Sequence, residues 1–370
     1  MNATTRNASP LLQQSKPDFD RCLQRIEAWF EREVLDRPPI RFYKHNSQYE
    51  GGDALDRSRW ASLQECWFDV DYQIDAFERS IAGKTFHAET FPVFPPNLGP
   101  CVYSAFYVGR LDFAEVTSWY EPALASLEDA DRWPADFEVV RQNIYFQKLE
   151  ELTRAALERC GGQYLVGYTD YHPSLDCVAA WRGPEILCLD MVMDAEKLAR
   201  VIERSIHDFH RIFDYFDAMV KAAGQPSVTW LGIPSFDKLH IPSCDFASMI
   251  SPRHFAEFSL PCLRREVQGM TRNIYHVDGK GVAQHLDLIL SLPEIHAIQW
   301  VQGLGKDLAI QQWVPLLQRI IAAGKSVVVD LQAGELDDFM AAIKPAGLFL
   351  CIGVEEGQEQ AVLQRVQRWC

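Results

Sequence analysis

The chain has 370 residues, a formal net charge of -15 at pH 7 and 48% hydrophobic residues, enough for a globular core. The acidity, with no clustered basic segment, argues against a nucleic-acid partner. No apolar run of about 18 residues and no charged-then-apolar amino terminus is present, and ten cysteines lack any Cys-x-x-Cys pair. We therefore expect no membrane span, no signal peptide, buried free thiols and a cytoplasmic location.

Eight segments rich in β-branched and aromatic residues predict strands. They are 40–43, 87–94, 164–168, 228–233, 273–278, 297–301, 326–331 and 348–352. Helical periodicity lies between most of them, in segments 19–35, 138–160, 195–223, 252–270, 308–323 and 356–369. This alternation predicts one α/β domain over 1–370, a (β/α)8 TIM barrel. A doubly wound sheet is less favoured because no G-x-G-x-x-G follows any strand.

Two parts of the amino-terminal third depart from this alternation. Residues 1–17 are expected to form a flexible tail. The segment 50–136 is rich in tryptophan and proline and loses regular periodicity after the second strand. It predicts an elaborated N-terminal region of loops and helices over one mouth of the barrel, not an independent domain.

The run Asn273-Ile274-Tyr275-His276-Val277-Asp278-Gly279 carries a histidine and a carboxylate two residues apart into a glycine turn. Side chains at i and i+2 of a strand share a face, so His276 and Asp278 can converge on one ligand or metal. In a barrel, catalytic groups lie where strands end. Other polar residues at predicted strand ends are Asp170, Gln302, Asp330 and Cys351.

Further candidates each have a structural alternative. Tyr168 and Tyr171 flank Asp170 and could orient a polar substrate, but an aspartate here could also cap a turn. Asp245 could accept hydrogen bonds at the mouth or precede and cap the helix that starts near 252. The Trp300 ring could wall a substrate pocket or pack in the core.

Several stretches resemble the uroporphyrinogen decarboxylase superfamily. They are Arg182-Gly183-Pro184-Glu185 followed by Asp190, Asp245-Phe246 leading to Ile250-Ser251-Pro252-Arg253-His254-Phe255, Tyr275-His276-Val277-Asp278-Gly279, and Ala297-Ile298-Gln299-Trp300-Val301. Within that superfamily the chain resembles the uroporphyrinogen-decarboxylase-like proteins grouped with cobalamin-dependent methyltransferases. The resemblance spans most of the chain and implies a (β/α)8 barrel, in agreement with the strand count.

The chain departs from the true decarboxylases at the residues that grip their substrate. Those enzymes carry an arginine-rich Met-Arg-Gln-Ala-Gly-Arg-Tyr segment at the first strand, where this chain has Phe42-Tyr43-Lys44-His45-Asn46-Ser47-Gln48-Tyr49. Both arginines are missing, and the nearby cations Arg41 and Lys44 do not restore the same bidentate carboxylate recognition. Their aspartate after the second strand has no counterpart in 94–99. Decarboxylation of a tetrapyrrole is therefore not expected.

The resemblance also implies a metal site. The related methyltransferases bind zinc through a His-x-Cys pair at the end of the fifth strand and a cysteine nearer the carboxyl terminus. Here the corresponding ligands would be His276, Asp278 and Cys351, with one position left open for a substrate. A carboxylate in place of a thiolate makes such a site less selective for zinc.

The resemblance implies a methyltransferase that moves methyl between a corrinoid, supplied by a carrier protein, and a small thiol or pterin. His276, Asp278 and Asp170 would be catalytic. The residues expected to shape the pocket are Tyr168, Tyr171, Asp245, Trp300, Gln302 and Asp330. Without a metal, His276 would act as a general base whose tautomer the Asp278 carboxylate fixes.

Two alternatives remain open at this point. One is a lyase that acts on a small or tetrapyrrole carboxylate, the other chemistry of the superfamily. The other is a non-catalytic barrel that binds a ligand without turnover. Barrels of this group often pair through their outer surfaces, so a homodimer is also expected.

Overall fold

The computed structural model describes residue 12 and residues 15–43, 59–132 and 136–370. Most of the expected tail at 1–17, and Lys44, lie outside the described residues. The strands are β1 (Ile40–Tyr43), β2 (Val93–Phe94), β3 (Leu111–Phe113), β4 (Ser118–Tyr120), β5 (Leu165–Val166), β6 (Ser227–Val228), β7 (Pro234–Ser235), β8 (Leu239–His240), β9 (Arg272–Asp278), β10 (Ala297–Val301), β11 (Ser326–Gln332) and β12 (Leu348–Gly353).

Helices lie between most of the strands. They are α1 (Phe19–Phe30), α2 (Leu63–Phe68), α3 (Val70–Ile81), α4 (Val102–Ala105), α5 (Phe137–Val140), α6 (Ile144–Arg159), α7 (Ser174–Arg182), α8 (Pro184–Met193), α9 (Ala195–Ile206), α10 (Phe209–Ala222), α11 (Pro252–His254), α12 (Leu260–Val267), α13 (Gly279–Ala283), α14 (Leu286–Leu290), α15 (Val314–Ala322), α16 (Leu336–Ala342) and α17 (Glu359–Gln367). Within the described part of the chain, none has both the length and the apolar composition that crossing a bilayer requires.

Six strands form one parallel sheet in the order β1-β12-β11-β10-β9-β8, and β2 pairs in parallel with β5. Two hydrogen bonds link these parts further. The Glu89 backbone nitrogen donates to the Ile40 carbonyl at 2.8 Å, and the Tyr168 nitrogen donates to the Val228 carbonyl at 3.0 Å. The α/β class and a curled parallel sheet are thus confirmed, and closure into eight strands stays a prediction.

Some strand predictions match the observed boundaries, whereas the predicted segments 87–94, 164–168 and 228–233 are strands only in part. Segments 40–43 and 297–301 match β1 and β10 at both ends. Only the start of 228–233 is extended: β6 turns back and pairs antiparallel with β7. Gly232 enables this turn with a φ of +66°, and its nitrogen donates to the Thr229 carbonyl at 2.8 Å.

The predicted helices 138–160 and 195–223 each divide into two. In the first case the cause is local, because Asn143 caps α6 by accepting a hydrogen bond from the Tyr145 nitrogen. The described part of 50–136 contains three α-helices, α2, α3 and α4, and the β3–β4 hairpin, which the sequence pattern did not resolve.

The sheet separates two hydrophobic cores. Ile274, Ala297, Val328 and Phe349 pack inside the curl, together with Trp29 and other apolar residues of α1. The alternate residues of the same strands pack outward against the helices. The Trp29 indole nitrogen donates to the carbonyls of Val327 at 3.3 Å and Gly347 at 3.0 Å, beside the starts of β11 and β12. Helix α1 therefore covers the amino-terminal end of the sheet, and the carboxyl-terminal end is left for a site.

We expect Trp29→Ala to destabilise the fold strongly, because the fully buried indole fills the amino-terminal end of the sheet. Loss of a buried tryptophan typically costs about 3–5 kcal/mol. Urea unfolding measures the change in the free energy of unfolding. Trp119→Ala, at a side chain that is 64% exposed, is the matched control and should change it by less than about 0.5 kcal/mol. Equal effects of the two substitutions would contradict the assignment of α1 as the base of the sheet.

Candidate functional site

Four neighbouring strands each carry an apolar residue inside the sheet and a polar residue two positions later. The apolar residues are Ile274, Ala297, Val328 and Phe349. The polar ones are His276, Gln299, Asp330 and Cys351. Because side chains on a strand repeat every two residues, the polar group faces the same interior, one step nearer the carboxyl ends. The sheet therefore has an apolar base and a polar mouth.

At this mouth Asp245, His276 and Asp278 form a group with metal-binding geometry. Each offers one ligand atom, and these atoms lie within 4.8 Å of one another. His276 and Asp278 end β9, whereas Asp245 begins the 3₁₀ turn Asp245–Met249. The two aspartates are exposed and His276 is half-buried. One imidazole and two carboxylates suit zinc or a harder divalent cation.

The orientation of His276 is set by Gln299 on the next strand. The parallel register places these residues side by side, and His276 Nδ1 lies 2.7 Å from Gln299 Oε1. An amide oxygen only accepts, so Nδ1 donates and Nε2 keeps its lone pair for a cation or a proton. The expectation that Asp278 fixes this tautomer is thus corrected, because the buried amide of Gln299 does so.

Asp245 is held by a carboxylate from a distant helix. Asp176, in the first turn of α7, accepts hydrogen bonds from the backbone nitrogens of Asp245 and Phe246, both at 2.9 Å. Burial raises the pKa of the Asp176 carboxyl. On the other side, a Cβ at Gly281 would lie 2.7 Å from the Ser248 Cβ, so α13 packs closely against this turn. These contacts bring the Asp245 turn to the end of β9.

Cys351 does not join this group. The register places it between Asp330 and Arg41, with its thiol beside the Asp330 carboxyl. Burial and the neighbouring Asp330 raise the pKa of the Cys351 thiol well above its usual range. A thiol held protonated is a poor metal ligand. The predicted third ligand is therefore corrected, since Asp245 occupies that place in the structure.

A cavity of about 230 Å³ is lined in part by Trp230, a neighbour of His276. Its lining includes Arg41, Asp170, Tyr168 and Trp230. The Trp230 ring also meets the His276 ring edge-on, with 5.3 Å between centroids. Burial raises the pKa of Asp170, against the effect of nearby histidines that include His276. Trp230 thus contacts both the cavity and the imidazole.

Tyr168 and Tyr171 both line space beside Asp170. The Tyr168 hydroxyl donates to Asp217 at 2.5 Å, so it is already used, although the residue lines the cavity. Tyr171 packs against Phe213 and Phe216 and lines a smaller cavity beside Asp170. Both tyrosines therefore contribute shape to the pocket beside Asp170.

Two other predicted pocket residues lie away from the cavity. Trp300 is fully buried and contacts Trp313 at 4.8 Å between ring centroids, in the core outside the sheet. Its neighbours Gln299 and Val301 face the interior, so strand alternation turns Trp300 outward, and its assignment to the pocket is corrected. Gln302 donates to the Asp330 carbonyl at 2.6 Å and thereby supports the end of β11.

Four residues of the site were not among the sequence-based candidates: Arg41, Asp176, Trp230 and Gln299. Gln299 could have been found, because it follows an inward-facing Ala297 by two positions, as His276 follows Ile274. Arg41 was noticed only as a nearby cation. Asp176 lies far from Asp245 along the chain, and no local pattern indicates their contact.

No known family model matches the sequence, and no curated protein matches it. A methyltransferase from Methanosarcina mazei has a similar structure, with a TM-score of 0.58 and 11% identity over 94% of this chain and 98% of that chain. A B12-independent methionine synthase from Shewanella sp. W3-18-1, in complex with selenomethionine, gives a TM-score of 0.36 and 12% identity over 81% and 86% of the two chains. At this low identity, the first comparison shows a shared fold over nearly the whole chain.

We expect Gln299→Leu to weaken Zn²⁺ affinity about 10–100-fold, the usual cost of losing the group that orients a histidine ligand. A competition titration against a chromogenic chelator measures the dissociation constant. Gln311→Leu changes an exposed glutamine in the same way and should leave the affinity unchanged. If Gln299→Leu binds zinc like the wild type, Gln299 does not orient a metal ligand.

Proposed function

We propose that this protein is a methyltransferase of the uroporphyrinogen-decarboxylase-like group, which transfers methyl from a corrinoid on a carrier protein to a small thiol. The observation that carries the proposal is the convergence of Asp245, His276 and Asp278, with His276 in contact with Trp230, which lines a cavity of about 230 Å³. The fold shared with the Methanosarcina mazei methyltransferase and the motifs of the superfamily support it. A pterin acceptor is the alternative within the same reaction.

The donor set fits a divalent cation by two observations. The three ligand atoms lie within 4.8 Å of one another, and Gln299 leaves the lone pair of His276 Nε2 free. Two carboxylates at this separation repel each other, and a cation between them would relieve the repulsion. A bound zinc ion would lower the pKa of a thiol that takes its open position, which makes the sulfur a better nucleophile at neutral pH.

The residues of the chain position the acceptor and leave the mouth of the sheet open to the methyl donor. Asp245 and Asp278 are exposed, so a large methyl donor can approach the mouth from solvent. The cavity would hold the rest of a small acceptor, and Trp230 both lines this cavity and contacts the imidazole of His276. The acceptor sulfur would thus lie between the cavity and the approaching methyl group, an arrangement that suits in-line transfer.

A metal-free version of the site is the second candidate. Because Gln299 accepts from Nδ1, neutral His276 can take the acceptor's proton at Nε2 and act as a general base. This version keeps methyl transfer but makes the reaction independent of added or removed cations.

We expect the protein purified without chelator to contain near-stoichiometric zinc or another divalent cation. The metal should be lost in His276→Ala, Asp278→Ala and Asp245→Ala, because each removes one of three ligands. It should remain in Cys351→Ser, whose thiol contacts Asp330 instead. Elemental analysis of all five proteins measures this.

Two outcomes would contradict this ligand assignment. Metal loss in Cys351→Ser to the extent seen in His276→Ala would restore Cys351 as a ligand. A wild-type protein that stays metal-free after addition of zinc would exclude the metal-assisted reaction and favour His276 as a general base.

We expect methylcobalamin to replace the carrier as a methyl donor to a small thiol such as 2-mercaptoethanol. His276→Ala should lower kcat/KM by about 100-fold or more, since both versions of the site use Nε2. The loss of methylcobalamin absorbance and the thioether product are measured together. Trp119→Ala, on the exposed β3–β4 hairpin, is the control. No thioether from any thiol, with either methylcobalamin or methylated carrier proteins, would contradict the proposed reaction.

A further inference from the structure

The cavity beside Trp230 is lined by a cationic side chain, that of Arg41, which is held in place. Arg41 faces the cavity from β1, and its Nη1 donates to the Leu231 carbonyl at 2.7 Å. The backbone of Gly232 lies against the guanidinium, since a Cβ there would be 3.7 Å from Arg41 Nε. A guanidinium has five N–H donors in a rigid fork. One bond to Leu231 therefore anchors Arg41 and leaves donors for a ligand.

On the segment that follows β5, the same cavity has buried acceptors without partners. Asp170 Oδ1 and Thr169 Oγ1 have no hydrogen-bond partner among the described residues, and both residues line the cavity. Thr169 is only 7% exposed. Buried polar atoms are nearly always paired, and an unpaired one costs free energy until a ligand or water satisfies it. The ionised Asp170 oxygen can only accept, so it points to a ligand group that donates hydrogen bonds, and the Thr169 hydroxyl can accept a second bond from the same group.

The lining combines one cationic and one acidic side chain in a small space. Among the described lining residues, Arg41 is the cation and Asp170 is the carboxylic acid. The other lining groups are neutral, and they include Asn97 and Thr229. Outside the lining, Asp330 interacts electrostatically with Arg41, and His172 and His276 interact with Asp170. Within the cavity, a ligand with a single charge would pair with one of the two groups and leave the other without a partner.

We propose that this cavity is a binding subsite for a small zwitterion of the α-amino-acid type. Its carboxylate would bind the free donors of Arg41, and its ammonium would donate to Asp170 and Thr169. The side chain would then extend past Trp230 toward His276. The identification of this zwitterion as the methyl acceptor rests on the proposed function, whereas the charge preference of the cavity does not.

Discrimination against singly charged ligands follows from the pairing of both groups. A ligand that lacks the ammonium leaves the Asp170 acceptor buried and unpaired, and one that lacks the carboxylate leaves the remaining Arg41 donors without an acceptor in the cavity. Sites that hydrogen-bond a substrate group reject analogues without it more strongly than apolar pockets do. We therefore expect the zwitterion to bind more tightly than an analogue that lacks either the ammonium or the carboxylate.

Three small ligands without any thiol test the subsite directly. L-2-aminobutyrate carries both charges, butyrate only the carboxylate and propylamine only the ammonium. Isothermal titration calorimetry on the purified wild-type protein should give a dissociation constant about tenfold or more lower for L-2-aminobutyrate than for either analogue. Equal affinities, or no detectable binding of L-2-aminobutyrate, would overturn the proposal without the use of any variant.

Variants of Arg41 and Asp170 test which residue binds the carboxylate of the ligand and which binds its ammonium. Arg41→Met should remove the advantage of L-2-aminobutyrate over propylamine, and Asp170→Asn should remove its advantage over butyrate. Arg200→Met and Asp71→Asn make the same changes at exposed positions and should leave all three affinities unchanged. If Arg41→Met and Asp170→Asn, with unfolding midpoints like the wild type, bind as the wild type does, the assignment is wrong.

The ligands separate this proposal from the proposed function, because none of them has a thiol to methylate. Preference for L-2-aminobutyrate without any methyl transfer would leave the subsite standing and contradict the methyltransferase. Methyl transfer to thiols with no difference between singly charged and zwitterionic acceptors would support the methyltransferase and contradict the subsite.

Discussion

Parallel register is the constraint on which the candidate site depends. It places His276 beside Gln299, and it aligns Asp330, Cys351 and Arg41 across three strands. Because side chains alternate between the two faces, a shift of one residue in any pairing would turn a polar group outward and an apolar group inward. The apolar layer beneath, packed against α1, opposes such a shift, since it would bring those side chains out of the core. The core at the base therefore determines the chemistry at the mouth.

The features that a strand encodes locally could be predicted from the sequence. His276 and Asp278 are two residues apart, so their convergence needs only that β9 be extended, and the structure confirms this. Gln299 follows from the same alternation once Ala297 is taken as inward-facing. The prediction that Trp300 lines the pocket was wrong because it rested on the aromatic ring and not on the position of Trp300 in the alternation along β10. Pattern alone would have turned it outward.

Features that depend on tertiary contacts could not be predicted in this way. Asp245 joins the group because Asp176, on a helix far away in the chain, accepts the amide hydrogens at the start of its turn. Cys351 faces the interior as expected, but its contact is Asp330, a relation that only the register between β11 and β12 determines. The predicted strand at 228–233 ends early because the backbone at Gly232 takes a positive φ. In each case the local pattern was compatible with several long-range arrangements.

The site has two halves, the mouth of the sheet and the cavity, and ligand groups of different charge would stabilise each of them. At the mouth, Asp245 and Asp278 bring two carboxylates together with His276, an arrangement that a cation stabilises. In the cavity, the Asp170 oxygen, which has no hydrogen-bond partner among the described residues, would be stabilised by a donor, and Arg41 would be stabilised by an anion. Asp170 also interacts electrostatically with His276 and Asp245, so the two halves are not independent. An ammonium group beside Asp170 would reduce the negative potential at the mouth. By the same field, a cation at the mouth would favour the ionised form of Asp170 that an ammonium requires.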